Sequence, residues 1–248
     1  MSNPYAPPSS TLGKLSLDKG GGFGGDPFHE LRWDISGVMN RSWALFQERP
    51  GLYVGAIAVQ LGIGLAFGLV SAGVSVGLAE AGADPMLGQA ISQVVSIGGN
   101  LIGAFLGVGL IRLFLAGVRG EAASLGLMFS GLPWFGNIFL GNLLMGLIAI
   151  VSLCALGLPL FMIVPGLALW QYLVIDQGQG AVEALKGSWS LTMGSKVDIF
   201  VLILVAGLIN TVGVLFCGLG LLVSLPVTGL ATALVFENMR IHGPKVAA

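Results

Sequence analysis

GLPLFMIVPGLALWQYLVIDQ (157–177) and GLGLLVSLPVTGLATALVFEN (218–238) align without a gap. Pro165 falls on Pro226, Leu169 on Leu230, Leu173-Val174 on Leu234-Val235, and Asp176 on Glu237. Each stretch runs 19 residues without a charge before its acidic position. That is close to the length of about 20 residues that an α-helix needs to cross a hydrocarbon core of about 30 Å. Two related apolar helices in one chain predict a membrane protein built by duplication.

Working outward, four more stretches are long and apolar enough to span, giving six in all: 52–74, 96–118, 134–153, 158–175, 199–217 and 219–236. Composition agrees. Of 248 residues, 55% are apolar and 9% are Asp, Glu, Lys or Arg, against roughly 25% charged in soluble domains. Such a chain cannot cover a water-facing surface, and the mean hydropathy of +0.91 and 40 glycines point the same way. A net charge of −1 provides no basic face for nucleic acid.

The basic residues test the count. Lys14, Lys19, Arg32, Arg41 and Arg49 precede the first span, and Arg112 and Arg119 end the second. Lys186 and Lys196 lie between the fourth and fifth, and Arg240 and Lys245 follow the sixth. In a six-helix topology all eleven fall on one side, the cytoplasmic one, with both termini inside. Arg112 sits within its apolar run but close enough to the end to snorkel. Trp33, Trp43, Trp134 and Trp189 lie at the same interface, and Trp170 approaches it.

The spans pair into hairpins. The second and third turn tightly, around 154–157 and at Gly218 to Gly220, and the first has a longer connection around 80–89. Before each hairpin lies a related short segment: Ser42-Trp43-Ala44-Leu45, Ser124-Leu125-Gly126-Leu127 and Ser188-Trp189-Ser190-Leu191. In the third, Val182, Leu185, Trp189 and Met193 share a helical face, as a helix lying in the interface plane requires. The predicted fold is all-α: six transmembrane helices as three parallel repeats of an amphipathic interfacial helix plus a hairpin. Residues 1–32, with Pro4, Pro7, Pro8 and a run of glycines, are expected to be a disordered cytoplasmic tail. Residues 33–239 form the membrane domain and 240–248 a second tail.

Candidate chemistry is sparse. No ionisable group lies near mid-membrane, which argues against proton coupling through a buried carboxylate. Asp176, Glu183, Asp198 and Glu237 read as solvated helix ends. Gln60, Asn142 and Asn210 (with Thr211) are the mid-span polar groups, suited either to interhelical hydrogen bonds or to a substrate site. Pro165 and Pro226 predict matched helix kinks, inherited by duplication or marking a discontinuous-helix site. The stripes Gly99/Gly103/Gly107, Gly51/Gly55 and Gly64/Gly68 let helices approach closely. Cys154 and Cys217 are read as small packing residues, with a disulfide as the alternative. His29 and His242 lie in the tails, and no catalytic triad, metal-ligand spacing or cofactor loop is present. The chain is therefore expected not to be an enzyme and to hold no cofactor and no metal.

The stretch IVPGLALWQYLVIDQGQGAVEALKGSWSLTMGSKVDIFVLILVAGLI (163–208) resembles a bacterial superfamily of uncharacterised six-helix membrane proteins. That superfamily includes the membrane domain attached to some glycerophosphodiester phosphodiesterases. The shared marks are a "PG" in the fourth helix, an acidic turn, and "EAL..S..L..G", here Glu183-Ala184-Leu185, Ser188, Leu191 and Gly194. Arg119-Gly120-Glu121 and Phe129-Ser130-Gly131 look like the family's second cytoplasmic segment. The resemblance spans roughly 33–239 and implies six helices in a bacterial plasma membrane. It does not bring the phosphodiesterase activity, which belongs to a separate barrel of about 250 residues. The expected role is a non-enzymatic membrane module that organises or senses lipids or partner proteins. The alternative is a small transporter or lipid-handling channel. Expected partners are membrane lipids and a membrane protein or a second copy of the chain.

Overall fold

The computed structural model describes residues 34–154, 160–215 and 218–242, with no strand among them. The expected N-terminal tail and the Cys154–Cys217 question lie outside the described residues and side chains. Asp34 opens α1 (Ile35–Glu48) by accepting the backbone N–H groups of Ser36 and Gly37, at 3.3 and 3.1 Å. Asp is a favoured cap because its carboxylate satisfies amides that the first turn leaves open. The Ser36 hydroxyl bond and these amides hold the Asp34 carboxyl below the usual carboxylate range. α1 buries Val38, Ser42, Leu45 and Phe46, leaves Trp43 exposed, and packs across α9.

The first hairpin is longer than its apolar pattern suggested. α2 (Pro50–Glu80) and α3 (Pro85–Arg119) leave only residues 81–84 between them, so the expected longer connection around 80–89 is helical instead. The reason is local. Gly82 takes a left-handed φ of 68°, the Asp84 carboxylate accepts the Met86 N–H at 2.7 Å, and Pro85 stands at the first helical position. Serines tie the two helices together: Ser71 Oγ donates to the Ser92 carbonyl at 3.3 Å and lies 3.4 Å from Ser96 Oγ.

A six-residue 3-10 helix (Leu125–Ser130) follows, where a second amphipathic helix was expected, and it packs on α3. Gly109 permits this contact, because a Cβ there would overlap the Met128 backbone. Next come α4 (Leu132–Cys154), α5 (Leu160–Gly166), α6 (Trp170–Gln177), α7 (Ala181–Leu191), α8 (Lys196–Leu215) and α9 (Leu221–His242). α9 includes Arg240 to His242, so the helix continues into the expected tail. α2, α3, α4, α8 and α9 are each long and apolar enough to cross a membrane.

The fourth expected span is two short helices separated by a turn at 167–169. Pro165 lacks the N–H that would continue the ladder, and beyond it the Trp170 N–H bonds the Leu167 carbonyl instead of that of Gly166. Side chains of α7 take over the freed groups. Ser188 Oγ donates to the Gly166 carbonyl at 3.0 Å and accepts the Leu169 N–H at 3.2 Å. Thr192 Oγ1 lies 3.1 Å from the same carbonyl. By contrast, α9 runs without interruption through Pro226; the aligned prolines do not produce matching breaks.

These bonds draw α7 into the protein. It buries Ala181, Ala184, Leu185, Ser188 and Leu191 against α6 and α4, a face offset from the one expected, while Val182 and Met193 remain exposed. Trp170 is also a core residue at 4% exposure, its indole seated on Gly141. Outward positions such as Leu65, Leu69, Val94, Ile150, Val151 and Leu208 are exposed and apolar. That is the surface a hydrocarbon solvent demands, with backbone groups satisfied inside helices. The fold is that of a membrane-embedded α-helical protein.

Candidate functional site

The three mid-span amides are not brought together. Asn142 is exposed on α4. Asn210 Nδ2 lies 3.4 Å from Thr228 Oγ1, a link between α8 and α9, while Asn210 Oδ1 and Ser224 Oγ are buried without protein partners among the described residues. Gln60 occupies a different setting. Its side chain lies against Gly107 of α3, and its Oε1 is buried without a partner among the described residues.

Gln60 borders a cavity of about 470 Å³ between α2 and α3. Gly64, Phe67 and Gly68 of α2 line it with Gln60, and Ser96, Gly99, Asn100, Gly103 and Ala104 of α3 line it from the other helix. The spacing of small residues follows from helix geometry: positions four apart share a face, so omitting side chains there opens a groove between helices that otherwise touch. Gly64, Gly68 and Gly103 face open space, whereas a Cβ at Gly99 would strike the Phe67 side chain, its Cβ at 2.8 Å and its ring Cγ at 2.9 Å. The glycine stripe thus serves packing at Gly99 and an empty volume at Gly103. Gln60 lies ten residues into α2 and Asn100 nineteen residues before the end of α3. At 1.5 Å per residue these are roughly 15 and 28 Å from the Arg119 end. The groove therefore sits deep in the apolar part of the hairpin. Asn100 was not singled out from sequence, although it meets the same criterion, a mid-span amide, that identified Gln60.

The second polar site was misread as solvated helix ends. Arg119 at the end of α3, Asp176 of α6, and Glu237 and Arg240 of α9 form one ion cluster. Arg119 Nη2 lies 2.6 Å from Asp176 Oδ1 and 2.9 Å from Glu237 Oε2, and its Nε lies 3.2 Å from the same Glu237 oxygen. Arg240 binds both oxygens of Glu237 and reaches Asp176 Oδ2 at 3.8 Å. The Glu237 and Asp176 side chains are only 6% and 11% exposed, so these are enclosed ion pairs rather than solvated charges. Helix geometry delivers them: α3 and α6 end at the left-handed glycines Gly120 and Gly178, which stop each helix just past its charged residue. Glu183 is exposed, as expected. Among the described residues no group of His, Cys, Asp and Glu could hold a metal ion.

No protein-family model, curated protein or solved structure matches the chain.

Proposed function

We propose that the protein is a six-span, non-enzymatic module of a bacterial plasma membrane that handles lipids, holding an amphiphile in the groove between α2 and α3. The cavity that reaches Gln60 carries this reading. An amide taken from water into an apolar medium without a hydrogen-bond partner costs roughly 2–7 kcal/mol. The buried, unpartnered Gln60 Oε1 calls for an occupant that hydrogen-bonds, and the glycine and Phe67 lining suits an acyl chain. A solidly packed scaffold, or a surface for a partner protein alone, would not need such a volume.

Six crossings and the three-fold repeat belong to this proposal. The ion cluster gathers the C-terminal ends of α3, α6 and α9 at one end of the bundle, which suits an even number of crossings with α5 and α6 together as the fourth. The packing pattern also favours a repeat. α1 lies on α9, the 3-10 helix on α3 and α7 on α6, each short segment on the second helix of the preceding unit in a closed ring. Relation to the membrane domain of glycerophosphodiester phosphodiesterases, and cytoplasmic termini, complete the proposal.

Gly103 offers a direct test, because it lines the groove and a Cβ there meets no protein atom within 4 Å. Purified wild-type protein should retain a co-purifying lipid in native mass spectra, and Gly103→Leu should lose it while keeping its melting temperature in lipid-free detergent. Equal lipid retention by wild type and Gly103→Leu would rule the groove out as the lipid site.

A further inference from the structure

Among the described residues Arg112 has no countercharge. It lies seven residues before Arg119 on α3, roughly 10 Å further along the helix axis. Arg119 is neutralised by Asp176 and Glu237, but no carboxylate lies within 4.0 Å of Arg112 among the described residues. Its protein contacts are neutral. Nη1 donates to the Ser130 carbonyl at 3.3 Å and to the Ser130 hydroxyl, and the guanidinium carbon stands 4.6 Å from the centroid of the Trp134 ring. The Ser130 hydroxyl gives its own proton to the Leu127 carbonyl at 2.6 Å, leaving a lone pair for Arg112. The guanidinium is thus held by Ser130 and the Trp134 ring, with Nε and Nη2 left unbonded to the described chain.

We infer that Arg112, Ser130 and Trp134 form a binding site for the phosphate of a membrane phospholipid. A cation held in a low-dielectric setting is strongly stabilised by an anion beside it. The planar fork of an arginine matches two phosphate oxygens, which an ammonium cannot do. A phospholipid brings its phosphate to the headgroup level, which Arg112 reaches by snorkelling, and Trp134 is the aromatic residue expected there. The first turn of α4, which contains Trp134, adds the positive end of its dipole. This site is on another face of α3 from the α2–α3 groove and stands whether or not that groove holds lipid.

The test uses the full-length protein in the Gly103→Leu background, so that a groove occupant does not contribute. Binding of an anionic phosphatidylglycerol is measured by native mass spectrometry for the parent, Arg112→Gln and Arg112→Lys, each checked for monodispersity. The parent should bind one lipid, Arg112→Gln about tenfold or more weakly, and Arg112→Lys in between, since it keeps the charge and loses the fork. Inorganic phosphate at equal concentration should not displace the lipid. Unchanged binding by both variants overturns the site, and displacement by inorganic phosphate overturns the lipid as its ligand. Lipid binding that depends on Arg112 only once residues 1–33 are deleted would assign the arginine of the intact protein to a carboxylate of that segment instead.

Discussion

Replacing Arg119 with leucine removes the residue that joins three helices. Its Nη2 holds Asp176 Oδ1 at 2.6 Å and Glu237 Oε2 at 2.9 Å, so those two oxygens cannot be more than about 5.5 Å apart. Without it, two enclosed carboxylates share Arg240, which is 40% exposed and reaches Asp176 only at 3.8 Å. At an effective dielectric of about 20, two like charges at that separation repel by about 3 kcal/mol. Breaking a buried pair by removing one partner costs about 3–5 kcal/mol. Since about 1 kcal/mol corresponds to 2–4 °C in a chain of this size, the melting temperature of Arg119→Leu should fall by about 10 °C. Arg240→Leu should cost much less, about 1 kcal/mol or below, because solvent screens that side chain. Thermal unfolding of the purified protein in mild detergent reads both. The decisive arm is Arg119→Leu/Glu237→Gln, which leaves one cation for one carboxylate and should recover about half of the loss. A melting temperature for Arg119→Leu within about 2 °C of wild type, or strictly additive losses in the double variant, would refute the idea that the cluster clamps α3, α6 and α9.

Two other packing claims can be checked in the same assay. Ser188→Ala removes the group that serves both the Gly166 carbonyl and the Leu169 N–H, and should cost about 1–3 kcal/mol; loss of less than about 0.5 kcal/mol would mean that the broken fourth segment is satisfied in another way. Gly141→Val places a side chain where the Trp170 indole sits, and should cost about 1–3 kcal/mol through overpacking. Adding Trp170→Leu to Gly141→Val should make the glycine substitution nearly neutral, which a remote effect would not reproduce.

The helical class and five of the six expected spans were legible because both follow from composition and window length. The pairing of Pro165 with Pro226 was also visible, but its consequence was not. Pro165 produces a break because the Ser188 and Thr192 hydroxyls are placed to donate to the freed Gly166 carbonyl, and those partners come from another segment. The length of the first hairpin was readable in principle, since Asp84-Pro85 is a helix-start signal, yet an apolar window ends wherever small and polar residues dilute it. Asp176 and Glu237 align in the sequence, but their ion pairs depend on which helix ends converge. For the groove, Gln60 announced itself as a mid-span amide. Its opposing wall of Ser96 and Asn100 depends on the register between α2 and α3, which single-helix patterns do not encode.

The proposed six-span topology requires α5 and α6 to cross the membrane together. Labelling of single cysteines by a membrane-impermeant thiol reagent, with Cys154 and Cys217 replaced by alanine, tests this in intact cells and in inverted vesicles. Ser36, Glu80, Lys186 and His242 are the informative positions, all exposed. Six crossings predict that Ser36, Lys186 and His242 react only in inverted vesicles and Glu80 only in intact cells. If Lys186 and His242 react with Glu80 in intact cells, the fourth segment turns back without crossing, the chain has five spans, and the six-span account is wrong.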